Sequence, residues 1–339
     1  MLYLIVPLLY KTSSFNDIFE WLKESLISKN IIFATNKISY KTFKWYWIEN
    51  PDEYFNHAIN TQKFLIKNIK NWDKIIFLDF FFPWLDLVKY YFERNNINVK
   101  MFSLMHWASF VPWDIYSWKW LNNFEKWWLD IYDKVIIPSK FFLSNITNNC
   151  EYKLDKFEII PWWIDKSIKP IFNNKKYDVI FPHRFDYDKW IYEFYEIVKK
   201  LPKINFLITS IDEDRIISTY PSDLINLFYD FKKLPNLTIK WLEDWEKHLQ
   251  TLRESKLILS TAKQEWFWYS IMKWIQSWNI PILPNRCCYP EFFDNNFLYN
   301  DIKECCDFID KNLKNYPNNY FDINNKFSFD NIINFIINN

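Results

Sequence analysis

The chain has 339 residues and no glycine. At ordinary usage, roughly 7%, about 24 glycines would be expected in this length. The absence matters because tight turns and close backbone approaches need φ > 0, which glycine adopts without penalty. Tryptophan runs the other way, with 20 copies. The deficit and the surplus are similar in size. Arginine is scarce too, confined to Arg94, Arg184, Arg215, Arg253 and Arg286. Lys, Asn, Ile, Phe and Tyr, whose codons are AT-rich, dominate. One codon reconciles these facts: UGA is stop in the standard code, tryptophan in some variant codes and glycine in others. The expectation is UGA recoding, with glycine in the native protein where this chain shows tryptophan. An aromatic-rich protein with genuine tryptophans is the alternative, and UGG codons would select it.

An excess of charge of one sign is also lacking. The net charge of +1 gives no electrostatic case for a nucleic-acid or membrane partner. The five cysteines, Cys150, Cys287, Cys288, Cys305 and Cys306, are odd in number and include two adjacent pairs. That is no disulfide framework. Adjacent cysteines also lack the C-x2-C spacing of zinc sites, so no metal is expected. Reduced thiols in a cytoplasmic protein are the simplest reading. The opening MLYLIVPLLY has neither the basic region nor the small-residue cleavage site of a signal peptide. No run reaches the length of a membrane span. The opening reads as a buried first strand.

Short apolar runs alternate with amphipathic stretches. LYLIVPLLY, IIFAT, KIIFLDFFF, VKMFSLMH, KVIIPS and FEIIP read as strands. The segment 13–30 between the first two keeps helical spacing at Phe15, Ile18, Phe19, Leu22 and Leu26. Alternation of this kind predicts a parallel sheet with helices on both faces. The pattern restarts with YDVIFPHR, INFLITS, LTIKW, LILSTA and IPILPN, with helices beginning near Trp190, Ser222, Asp244 and Trp266. Between the halves, 161–177 has the prolines and polar run of a linker. The expectation is two doubly wound, Rossmann-like α/β domains facing a cleft, 1–165 and 170–320, with 321–339 a tail bearing a last helix.

Ligands of such sheets bind at the carboxyl ends of the strands, so residues that follow strands carry the information. FPHRFDYDKW (181–190) follows the first strand of the second half. Arg184 and Lys189 sit in its strand-to-helix loop, where two cations beside a helix N-terminus suit a diphosphate. Solvated surface charge is the other reading. LILSTAKQEWFWYSIMKWIQSW (257–278) ends a buried strand, places Glu265, turns at 266–268 and starts a helix. With glycine at 266 and 268 that turn would present bare backbone N–H groups to a phosphate. Glu265 either accepts sugar hydroxyls there or is an acid favoured by the helix dipole. His106 closes the strand VKMFSLMH in the first half. No P-loop, nucleophile elbow or His-Glu metal motif competes.

The segment EWFWYSIMKWIQSWNIPIL is similar to the E-G-F-G-x4-E-A-x3-G-x-P-V-I block of retaining, family 4 type glycosyltransferases of the GT-B fold. Its tryptophans fall on that family's glycines or small residues. PHRFDYDKW resembles the G-R-x4-K-G element, IIPWWIDKSIKP the I-P-N-G-V-D junction, and KVIIPSKFFLSNI a first-domain segment. In a narrower likeness, HRFDYDK, STAKQEWFW and PNRCCYPEFF resemble the group that includes queuosine-tRNA mannosyltransferases. The loop after His106 departs from that group.

The resemblance implies transfer of a hexose from a nucleoside diphosphate sugar, with retention of configuration and without a metal or other cofactor. The acceptor it leaves open is a glycan, a lipid-linked glycan or tRNA. The first domain would take the acceptor and the second the donor. Arg184 and Lys189 would hold the donor diphosphate. Phe267, Trp268, Tyr269, Ser270 and Lys273 would line the donor sugar and nucleotide, with His106 and Glu265 in the catalytic roles. Lys273 stands where the family has a second acid that grips the ribose, and lysine cannot accept those hydroxyl protons. That departure leaves room for a non-catalytic nucleotide- or carbohydrate-binding relative. The expected location is cytoplasmic, with peripheral association at the inner face of the membrane as the other setting.

Overall fold

The computed structural model describes residues 1–5, 31–34, 51–82, 84–106, 108–109, 119–149, 154–162, 175–209, 213–240, 250–251, 253–265, 271, 275, 279–316 and 327–339. The expected helix at 13–30, most of the 161–177 linker and the helix starts near Asp244 and Trp266 lie outside them. The chain divides into two compact units, Met1–Trp162 with Ser328–Asn339, and Trp163–Phe327.

Unit 1 runs β1 (Leu2–Ile5), β2 (Ile31–Ala34), α1 (Pro51–Asn68), β3 (Lys74–Phe77), α2 (Leu85–Arg94), β4 (Lys100–Leu104), α3 (Lys119–Ile131), β5 (Lys134–Ile137), α4 (Lys140–Asn149) and β6 (Phe157–Ile159). Its sheet has the order β2-β1-β3-β4-β5-β6. All pairings are parallel, with Ile5 opposite Phe77 and Phe77 opposite Ser103. The strands are short runs of β-branched and aromatic residues buried on both faces, as a covered parallel sheet requires. Ile75, Ile76, Phe77 and Val135 to Ile137 are fully buried.

Unit 2 runs β7 (Tyr177–Phe181), α5 (Ile191–Lys200), β8 (Phe206–Ile208), α6 (Glu213–Thr219), α7 (Ser222–Lys232), β9 (Leu237–Ile239), β10 (Ser255–Leu259), β11 (Ile280–Pro284), β12 (Leu298–Tyr299) and α8 (Ile302–Asn315). The order β12-β11-β10-β7-β8-β9 is again parallel throughout. The chain's progress across the sheet reverses between the neighbouring strands β7 and β10, a topological switch point of the kind at whose carboxyl ends ligands bind.

The helices of unit 2 follow from their apolar spacing. In α5, Ile191, Phe194, Ile197 and Val198 are buried while Lys199 and Lys200 end the helix in solvent. Phe194 stacks on Phe181 of β7 at 4.3 Å, clamping helix to sheet. Removing that ring would cost about 3–5 kcal/mol. At the start of α8, the Asp301 side chain accepts from Glu304 N, and Glu304 reaches back to Asn300 N at 2.7 Å. This reciprocal cap fixes where the helix begins. The last helix, α9 (Phe329–Asn338), belongs to unit 1. Lys74 Nζ donates to the carbonyls of Ile336 and Ile337 at 2.8 Å each, a cation on a helix C-terminus.

Three of the seven described tryptophans adopt positive φ: Trp72 (70°), Trp84 (57°) and Trp190 (51°). Asn96 and Cys287 are the other described residues in that region. An indole there carries the Cβ clash that glycine avoids. Trp84 caps α2 and Trp190 joins the short turn Tyr187–Lys189 to α5.

Candidate functional site

The site is built where β7 and β10 end. β7 stops at Phe181 and the chain enters Pro182-His183-Arg184. Asp186 then turns it, its side chain accepting from Tyr187 N at 2.8 Å to start the turn Tyr187–Lys189. This turn sets Arg184, Asp188 and Lys189 side by side. Arg184 Nη2 donates to Asp188 Oδ2 at 2.8 Å, and its Nε pairs with Asp186 Oδ2 at 3.2 Å. Lys189 Nζ lies 3.3 Å from that same Asp188 oxygen. It also donates to Glu265 Oε2 at 2.9 Å and to the Gln264 carbonyl at 3.1 Å.

The segment 260–265 after β10 lies against this turn. Thr261 Oγ1 donates to the Lys189 carbonyl at 2.7 Å, and Lys263 N donates to the Asp188 carbonyl at 2.9 Å. His183 Nε2 and Ser260 Oγ share a hydrogen bond of 2.8 Å between the segments that follow β7 and β10. Two cations, Arg184 and Lys189, therefore meet three carboxylates, Asp186, Asp188 and Glu265.

Burial governs the electrostatics. It opposes the charge on Lys189, yet the carboxylates of Asp188 and Glu265 hold the ammonium above the ordinary lysine value. Burial likewise opposes Arg184, and Asp188 and Asp186 overcome it. Burial raises the Glu265 carboxyl, with Lys189 pulling it back. His183 is held well below the ordinary histidine value by burial and then by the charges of Lys189 and Arg184. It is a neutral imidazole at physiological pH. The Lys189 and Glu265 side chains are only 13% and 12% exposed. Arg184, Lys189 and the three carboxylates form one connected ion cluster at the ends of β7 and β10.

The structure thus brings Arg184, Lys189 and Glu265 together. His106 belongs to unit 1, just past the end of β4. Its ring packs edge-on against Trp162 at 5.4 Å, and burial pushes its pKa down to about 3. Phe267, Trp268, Tyr269, Ser270 and Lys273 lie outside the described residues.

Asp188, Arg286, Glu193 and Tyr299 also belong to this cluster of contacts, although no sequence motif marks them. Arg286 follows β11, with Nε on the Ala262 carbonyl at 3.0 Å and Nη2 on the Thr261 carbonyl at 2.8 Å. The same Nη2 reaches Glu193 Oε2 at 3.1 Å, and Tyr299 OH contacts Glu193 Oε1 at 2.9 Å. The available signal was a scarce arginine placed directly after a strand. Above the turn, Lys263 Nζ lies 2.8 Å from the centroid of the Trp190 ring.

Two doubly wound parallel α/β domains are the fold of the GT-B class of glycosyltransferases. No family model matches the sequence. Solved structures do resemble it. A glycosyltransferase from Rickettsia africae is 16% identical, with 91% of this chain and 87% of that chain covered at a TM-score of 0.61. Anabaena HepE, solved with UDP-glucose, is 9% identical over 92% of this chain and 89% of its own, at a TM-score of 0.64. A mutant of S. aureus TarM, solved with fondaparinux, alpha-GlcNAc-glycerol and UDP, is 16% identical at a TM-score of 0.56. The match covers 83% of this chain but only 58% of TarM. No helix among the described residues is long and apolar enough to cross a membrane.

Proposed function

We propose that the chain is a glycosyltransferase that moves a hexose from a nucleoside diphosphate sugar to an acceptor, with retention of configuration. The observation that carries this reading is the cation pair Arg184 and Lys189, bound through one oxygen of Asp188 and joined to Glu265 in the segment that follows β10. Its place at the reversal between β7 and β10 is where a ligand of such a sheet binds. The likeness in fold to a protein solved with UDP-glucose favours a nucleotide-sugar donor.

In this mechanism the guanidinium and ammonium take up the charge that develops on the departing diphosphate. In the free protein Asp188 and Glu265 hold both cations in place. Donor oxygens then share them, and Glu265 is free to accept a sugar hydroxyl. The backbone of Phe267 to Ser270 binds sugar and phosphate, with Lys273 on phosphate. His106 is proposed to contact the reacting sugar as a neutral imidazole. No metal or other cofactor is invoked, because the two cations supply the positive charge. The first domain is proposed to take the acceptor, in a cytoplasmic protein with or without peripheral attachment to the membrane.

The recoding of UGA belongs to the same reading. What supports it is that Trp72, Trp84 and Trp190 occupy positive φ, where glycine is the default residue. With glycine at 190, the indole under Lys263 disappears and the start of α5 is open to an anion.

A test is a panel of labelled uridine and guanosine diphosphate hexoses, offered with glycan, glycolipid and tRNA acceptors. Product with retained anomeric configuration is expected. Mannosyl transfer to tRNA would select the queuosine-tRNA mannosyltransferase type, which HRFDYDK and STAKQEWFW favour. Tight donor binding without product would select the non-catalytic relative, which Lys273 favours.

A further inference from the structure

We propose that Arg286 is a positioning residue: with Glu193 and Tyr299 it fixes the backbone of 260–262, and through it the placement of Glu265 against Lys189. Ser260, Thr261 and Ala262 are fully buried. Their carbonyls lie beyond the last ladder position of β10, so each needs a donor from elsewhere. Side chains provide all three. Tyr299 OH sits 2.8 Å from the Ser260 carbonyl, Arg286 Nη2 donates to Thr261 O at 2.8 Å, and Arg286 Nε donates to Ala262 O at 3.0 Å.

Glu193, on the first turn of α5, anchors the guanidinium from behind. It accepts from Arg286 Nη2 at 3.1 Å and meets Tyr299 OH at 2.9 Å. Arg286 therefore ties three elements together: the start of α5, the end of β10 and the segment after β11. The other face of 260–265 is stitched to the Lys189 turn through Thr261 and Lys263. Glu265 is the next acidic residue along, and its carboxylate reaches Lys189 only while this segment is held from both sides. The planar fork of arginine is what allows one side chain to address two adjacent carbonyls and a carboxylate. Lysine, a single point charge, lacks that geometry.

The kinetic consequence rests on the donor-site reading above, whereas the structural consequence does not. Arg286→Gln and Glu193→Gln are therefore read in two ways. The first readout is the titration of the Glu265 carboxyl carbon by NMR, assigned with Glu265→Gln. Lys189 is what pulls the buried Glu265 carboxyl down, so loss of that contact should raise its midpoint in Arg286→Gln, and less in Glu193→Gln. The second is steady-state transfer. Misplacement of Glu265 should lower kcat by about 30-fold or more in Arg286→Gln, with donor KM within about three-fold. Added guanidinium should restore part of the rate in Arg286→Ala.

An unchanged Glu265 midpoint in folded Arg286→Gln overturns the proposal. If that variant does not fold, an unchanged midpoint in Glu193→Gln overturns it equally. A shifted midpoint in a protein that transfers no sugar upholds the positioning role and rejects the transferase reading.

Discussion

Lys189 Nζ and Glu265 Oε2 lie 2.9 Å apart, although 76 positions separate them in the chain. The contact joins the two segments, after β7 and after β10, that carry the candidate donor site. Because both side chains are largely buried, the pair is costly to break from one side only. Loss of one partner of such a pair typically costs about 3–5 kcal/mol, against near neutrality when both are replaced. Lys189→Ala should therefore lower the unfolding free energy more than Lys189→Met combined with Glu265→Leu. Urea titration of the three proteins checks this.

The same cations should matter more for rate than for folding at Arg184, whose side chain is 31% exposed. Arg184→Ala and Lys189→Ala should each cut transfer by about 100-fold or more, the scale of removing one preorganised group from a developing negative charge. Arg184→Lys should recover only part of the loss, because the guanidinium fork addresses Asp186 and Asp188 at once. Initial rates with a saturating donor measure both.

In unit 1, burial pushes the Asp79 carboxyl from 3.8 up to about 7, with a hydrogen bond from Phe81 N pulling the other way. Between those values the folded protein holds the proton more tightly than the unfolded chain does. Stability contributed by the protonated form is thus lost as pH rises through that window. Asp79→Asn should flatten this slope and stabilise the protein at pH 8 by roughly 2–4 kcal/mol. Thermal or urea unfolding across pH 4 to pH 8 is the measurement.

His106 acts in the opposite sense. Burial lowers it from 6.5 to about 3, so the unfolded chain takes up the proton first and stability falls as pH drops through that range. Its ring resonances should show no titration above about pH 5. A midpoint near that of free histidine would contradict the neutral role proposed for it.

Much of this arrangement was legible in the sequence because the strands are short, continuous apolar runs. YDVIF and LILS place Arg184 and the segment 260–265 at strand ends without further information. The scarcity of arginine made Arg184 conspicuous among lysines. Asp188 escaped because one carboxylate holding two cations depends on a turn that Asp186 initiates, and nothing in the spacing specifies it. Arg286 escaped because its partners are main-chain carbonyls, which have no sequence signature. The two-residue strand β12 is too short for a periodic pattern. The return of α9 to unit 1 rests on long-range contacts, such as Phe335 against Phe102, that local spacing does not encode.

Trp72 offers the cleanest test of recoding, because it is 75% exposed and has little packing to lose. Trp72→Gly should stabilise the protein by about 1–3 kcal/mol, the cost of a non-glycine residue in the left-handed region. Trp72→Ala should give little of that gain. Trp84→Gly should gain less, since it forfeits the stack on Phe55 at 5.4 Å. A destabilised Trp72→Gly protein would count against glycine as the native residue there.

The most direct test of the account is calorimetric titration of the nucleoside diphosphates UDP, GDP and ADP into the protein and into Arg184→Ala. The account predicts that at least one binds the unsubstituted protein, and that its affinity falls by about 30-fold or more in the variant. Binding of none of them, or equal binding to both proteins, would contradict a donor diphosphate site at Arg184 and Lys189.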